Sequence, residues 1–98
     1  MKTLSGSQKR SLKSQAHHLK PVVLVGRNGI TDSLIEGLPH RLDDHELIKI
    51  KFIDFKEEKK DLAGEIVSRT ASALVTLIGN IAIIYKQNQD IKKRRIVL

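Results

Sequence analysis

Cysteine and tryptophan are both missing from this chain. Without cysteine there can be no disulfide framework, no thiolate nucleophile, and no Cys-ligated zinc or iron–sulfur centre. Aromatic residues are scarce: Phe52, Phe55 and Tyr85 are the full set. No apolar run approaches the ~20 residues that a membrane-spanning helix needs. The opening stretch, Met1 to Arg10, has no hydrophobic segment that could serve as a signal peptide, so a cytoplasmic location is expected. Acid is missing locally as well. Between Met1 and Thr31 there is no Asp or Glu, although Lys2, Lys9, Arg10, Lys13, Lys20 and Arg27 all fall there.

What is present describes a folded domain. The chain has 98 residues, 40% hydrophobic and 30% charged, which suits one domain and leaves no room for a second core. Lys and Arg number 18 against 11 Asp and Glu, a formal net charge of +7. Charge this far from neutrality attracts polyanions. Acids outnumber bases between residues 32 and 85, and bases dominate again from Lys86 onward. Both ends of the chain are therefore basic, which predicts a localised positive face. The expected organisation is a domain over residues 1–86 and a basic, partly mobile tail over 87–98.

Periodicity predicts the elements. Ser5 and Gln8 form a capping-box pattern at the start of a helix. Leu12, Ala16 and Leu19 then make its buried stripe, with Arg10, Lys13 and His17 on another face, Lys9 on their shoulder, and Pro21 as its stop. Val22 to Val25 reads as a short strand covered on both faces. A second helix is expected after Thr31 as N-cap, with Ile30, Leu34, Ile35, Leu38 and Leu42 on its apolar face; Pro39 should kink or shorten it. From Ile48 to Ile53 the chain alternates, with Lys49 and Lys51 on an outer face and Phe52 in the core. A third helix follows the charged stretch from Phe55 to Asp61. Leu74–Ile78 and Ile81–Tyr85 form a hairpin around Gly79-Asn80. The order αβαβαββ gives a single α/β domain, a four-stranded mixed sheet packed with helices.

The sharpest local pattern is Gly26-Arg27-Asn28-Gly29, between a strand and a helix start. Two glycines three apart allow a tight turn and a close approach of backbone to ligand. The helix N-terminus beyond offers free N–H groups and positive potential to a phosphate. Arg27 adds a forked cation, and Asn28 can hydrogen-bond to a base edge or sugar. A Gly-x-x-Gly loop that clamps a nucleic-acid backbone is the device of KH-type RNA binders. Taken alone, such a pair of glycines is also common in turns for steric reasons. The signature of a nucleotide-hydrolysing P-loop is absent.

Three ordered motifs go further: Ala16-His17-His18-Leu19-Lys20-Pro21, Gly26-Arg27-Asn28-Gly29, and His45-Glu46-Leu47-Ile48-Lys49-Ile50-Lys51. With Ile78-Gly79 and Ile83-Ile84-Tyr85 after them, nearly the whole chain resembles the CRM domain, the YhbY-type family of RNA-binding proteins of ribosome maturation and intron splicing. The resemblance implies a fold similar to the C-terminal domain of bacterial translation initiation factor three. It also implies an RNA contact at the Gly-x-x-Gly loop, with basic residues of the first helix beside it. The expected partner is RNA, ribosomal RNA or a large-subunit precursor, with no membrane, small-molecule substrate or cofactor, and the chain is expected to be a monomer. Two departures stand out: the family often has Lys where Arg27 stands, and Pro39 is unexpected in the second helix.

The candidate RNA-binding set is Gly26, Arg27, Asn28, Gly29, Lys9, Arg10, Lys13, His17, Lys20, Lys49 and Lys51. With so few aromatics, recognition is expected to rest on backbone and shape rather than on stacked bases. His17, His18, His40 and His45 fall in no catalytic or metal-ligand pattern, so neither a catalytic residue nor a metal site is expected. Two other readings compete with RNA binding: a basic adaptor for an acidic protein partner, and a small ribonuclease. Retention of protein partners after nuclease treatment would favour the first, and cleavage of labelled RNA the second.

Overall fold

The computed structural model describes residues 3–98; Lys2, counted above in the acid-free segment, lies outside the described residues. The elements run α1 (Gly6–Ala16), β1 (Val23–Val25), α2 (Asp32–His45), β2 (Leu47–Phe52), α3 (Lys59–Thr70), β3 (Ala73–Ile78) and β4 (Ile81–Tyr85), with a short 3-10 turn at Ile91–Lys93. The sheet order is β1-β2-β4-β3. β1 is parallel to β2, and the other two pairings are antiparallel. The expected mixed four-stranded α/β architecture is what forms.

Helices cover both faces of this sheet, because β4 carries two apolar sides and β2 adds Leu47 to the second of them. Ile48, Ile50, Phe52, Ala82 and Ile84 point to one face, where Leu38 and Leu42 of α2 and Ala63 and Ile66 of α3 close the larger core. Leu47, Ile83, Tyr85 and Val75 point the other way, against Leu4 and α1's Leu12 and Ala16. Val75 occupies a β-bulge in β3, where the pairing with β4 skips from Leu74 to Thr76. The β3–β4 turn is the expected Gly79-Asn80, with Gly79 at φ 55, a conformation cheap only for glycine.

Capping at both predicted helix starts is as the sequence implies. Ser5 Oγ accepts from Gln8 N at 3.1 Å while Ser5 N donates to Gln8 Oε1 at 2.9 Å. Thr31 Oγ1 accepts from Leu34 N at 3.1 Å. Three expectations need correction. First, α1 stops at Ala16, well before Pro21: His17 and His18 are exposed, and Leu19 N folds back onto Ala16 O at 3.0 Å. Leu19 reaches the core from the connection instead. Second, Val22–Val25 is not covered on both faces. β1 is a three-residue edge strand, and Leu24 is 54% exposed because α1 packs on β2 and β3 and does not extend over that border. Third, Pro39 does not shorten α2. The helix runs unbroken to His45 with Pro39 on its solvent side.

The last dozen residues are tied to the domain by Glu46. This residue is fully buried at φ 60, between α2 and β2. Its Oε2 accepts from Asn88 N at 2.6 Å, and its Oε1 accepts from Arg95 N and from Ile96 N at 3.0 Å. Ile96 then packs on the α1-side core, and Arg94 Nε donates to Asn88 O at 2.8 Å. Burial pushes the Glu46 carboxyl up; the three N–H groups and the Arg94 cation pull it down further, so it lies below its ordinary value.

Candidate functional site

The loop Gly26–Gly29 sits where β1 ends and α2 is about to begin. Val25, its last strand residue, is fully buried opposite Phe52. Gly29 N donates to Gly26 O at 2.9 Å, which closes the turn, and Gly29 takes φ +66. The β2–α3 connection is fastened to the same place, since Ile53 N and Asp54 N both donate to Val25 O, at 2.9 and 3.2 Å. Arg27 and Asn28 are exposed at the tip.

The two glycines differ in what requires them. Gly29 needs its positive φ, and an added Cβ there would lie 3.4 Å from Phe55 Cε2. At Gly26 neither reason holds: its φ is not in the left-handed region, and a Cβ would meet nothing within 4 Å. From the loop a groove of about 420 Å³ runs between the β1 edge and α2, and Gly37 and Arg41 form its helical wall. Gly37 likewise has open space where a side chain would stand. The groove therefore offers bare backbone on two sides, with Arg27 and Arg41 among the residues that line it. Beside it, Asp32 in α2's first turn pairs with Arg69 at 3.5 Å, the one ion pair among the described residues.

The structure gathers Gly26, Arg27, Asn28 and Gly29 into this site, but not the other candidates. Leu47, Tyr85 and Ala73 mark one end of the sheet, Phe52 and Val25 the other. α1 packs over the second sheet face, and Lys9, Arg10, Lys13 and His17 are exposed on it, outside the lining of the groove. Lys20 is exposed in the connection from α1 to β1. Lys49 is half-buried, and its Nζ donates to His17 O at 3.3 Å. Lys51 is exposed beside Leu24, on the sheet face opposite α2. His18 and His45 border one shallow cleft with Arg95. Among the described residues, no group of three His, Asp or Glu stands together as a metal ion would need.

Gly37, Arg41 and Phe55 were missed by sequence reasoning. For the first two a signal existed: Ser33, Gly37 and Arg41 recur every four residues, offset from the Leu34-Leu38-Leu42 stripe. Nothing in the sequence marks Phe55.

The family model for the CRS1 / YhbY (CRM) domain matches residues 4–86. The chain belongs to this family. Among its relatives, the "Probable RNA-binding protein YqeI" of Bacillus subtilis is 40% identical over 92% of this chain and 95% of that protein. An RNA-binding protein of Haemophilus influenzae is 42% identical over 94% of each. The solution structure of SAV1595 from Staphylococcus aureus superposes with a TM-score of 0.80 at 33% identity, covering 97% of this chain and all of that one.

Proposed function

We propose that this protein binds structured ribosomal RNA through the Gly26–Gly29 loop and the groove beside it, and thereby assists assembly of the large ribosomal subunit. The observation that carries this reading is Gly26, a glycine that neither its own φ nor any neighbour within 4 Å demands. Keeping a position bare at the mouth of a groove makes sense if something approaches the backbone there. The chemistry beside it suits a phosphodiester: amides at the turn, the N-terminal end of α2, and the Arg27 fork. RNA as the polyanion is supported by the names of the relatives. The ribosomal target rests on the family resemblance.

The outlying cations fit a longer footprint. Exposed Lys9, Arg10 and Lys13 on α1 and Lys92, Lys93 and Arg95 on the tail have no carboxylate partner among the described residues. They give a long RNA further phosphates to meet, each releasing counterions.

The test is fluorescence anisotropy with large-subunit rRNA fragments across a salt series. Arg27→Glu should weaken binding at least tenfold and flatten the salt dependence, while the melting temperature holds, since the exposed Arg27 side chain pairs with no carboxylate among the described residues. Unchanged affinity would remove the loop from the interface.

A further inference from the structure

Phe55 stands out at the loop. The other two aromatic side chains, Phe52 and Tyr85, are fully buried, whereas Phe55 is 41% exposed. Its backbone is left-handed at φ 57. A bulky side chain there is uncommon and strained; Gly or Asn would adopt the same turn at lower cost. The turn is held in place from both sides, by Ile53 N and Asp54 N on Val25 O and by Glu58 N on Phe55 O at 3.1 Å. The result is that the ring lies against Gly29, with Cε2 and Cζ within 3.4 and 3.6 Å of where a Cβ would be. Folding thus spends strain to hold an apolar ring half in water, in contact with the loop. Two further exposed apolar side chains, Leu24 and Ile53, stand at the same end of the sheet.

We propose that Phe55 is a base-stacking platform: an unpaired nucleotide whose phosphate rests on the Gly26–Gly29 amides lays its base on the open part of the Phe55 ring. This rests on the reading above and adds a ligand class to it, a single-stranded or bulged segment within the folded RNA. The charges around the ring fit this division of labour. Asp54, Glu57 and Glu58 outnumber Lys56 in the same turn and leave it net acidic, which repels phosphate, whereas Arg27 draws it to the other side of Gly29. A neutral, flat base is the part of a nucleotide that the acidic side of the loop accepts. Such stacking tolerates any base, so it adds affinity for unpaired RNA without dictating sequence.

The experiment compares a short single-stranded RNA carrying 2-aminopurine with a blunt duplex of equal charge. On wild-type protein the single strand should show a stacked 2-aminopurine signal, and NMR should show the Phe55 ring protons moving upfield as RNA is added. Phe55→Leu keeps an apolar contact on Gly29 but has no π face. It should bind the single strand about tenfold more weakly, with duplex affinity and salt dependence unchanged; Phe55→Tyr should bind as wild type does. If Phe55→Leu equals wild type while Arg27→Glu is impaired, the platform is refuted and the loop reading stands. If Arg27→Glu is also unimpaired, the loop reading itself fails. Should Phe55→Leu not fold, unmoved Phe55 ring protons in the wild-type titration would overturn the proposal on their own.

Discussion

Replacing Glu46 with Gln tests whether one carboxylate holds the last dozen residues in place. The three N–H groups it accepts belong to Asn88, Arg95 and Ile96. Hydrogen bonds to a charged acceptor contribute about 1.5–3 kcal/mol each. A glutamine keeps one oxygen and turns an NH₂ group toward a donor, so at least one of these bonds becomes a donor–donor conflict. Relief of the buried charge offsets part of the loss. A net destabilisation of about 2–3 kcal/mol is expected, which for a domain of this size lowers Tm by roughly 10–20 °C. The pH dependence carries the sharper signature. The folded carboxyl lies below its ordinary value of 4.5, so the unfolded chain binds the proton more readily. The stability this provides is complete above about pH 4.5 and disappears as pH falls through the depressed folded value. Wild type should therefore lose stability in acid more steeply than Glu46→Gln, and the two should converge at the lowest pH. Thermal melts from pH 2 to 7 measure this, with hydrogen exchange at Asn88, Arg95 and Ile96 as a local report. A variant that melts within a degree or so of wild type at pH 7, or that keeps the full acid slope, would refute the reasoning.

Two other substitutions bear on stability and binding. The Tyr85 hydroxyl is buried without a partner, so Tyr85→Phe should raise stability by up to about 1 kcal/mol, read by chemical denaturation. Burial and the Glu46 charge raise the Tyr85 pKa, so wild type should lose stability as pH rises past 10 and the Phe variant should not. Gly37→Ala fills open space on the groove wall of α2. It should stabilise the helix by about 0.5–1 kcal/mol and yet weaken RNA binding in the anisotropy assay, a split that a purely structural glycine would not produce.

Where local chemistry decides the structure, the sequence is readable. Ser5 with Gln8, Thr31, and Gly79-Asn80 each use a side-chain acceptor or a permitted φ that acts within a few residues. The alternation of β2 is equally plain, since a period of two puts Ile48, Ile50 and Phe52 on one side whatever the rest of the chain does. What failed depended on neighbours distant in sequence. Val22–Val25 looks like a buried strand, but whether it is covered follows from its place at the border of the sheet. α1's early stop reflects the route the chain must take to reach that border. Glu46 looks like one more surface acid, and only the return of residues 88–96 makes it a buried acceptor. At the candidate site the glycine loop was legible and its surroundings were not. The cations of α1 precede the loop in sequence yet line no wall of its groove, while Phe55 reaches the loop from the connection that follows the neighbouring strand β2.

Both borders of the sheet are poor templates for another chain. On one side stand three strand residues preceded by Pro21, which has no N–H to offer; on the other, the irregularity at Val75 breaks the regular ladder. A neighbour's extended segment would find no long, straight rail to join. Borders of this kind disfavour strand exchange between neighbouring copies, the route by which small sheets most readily aggregate.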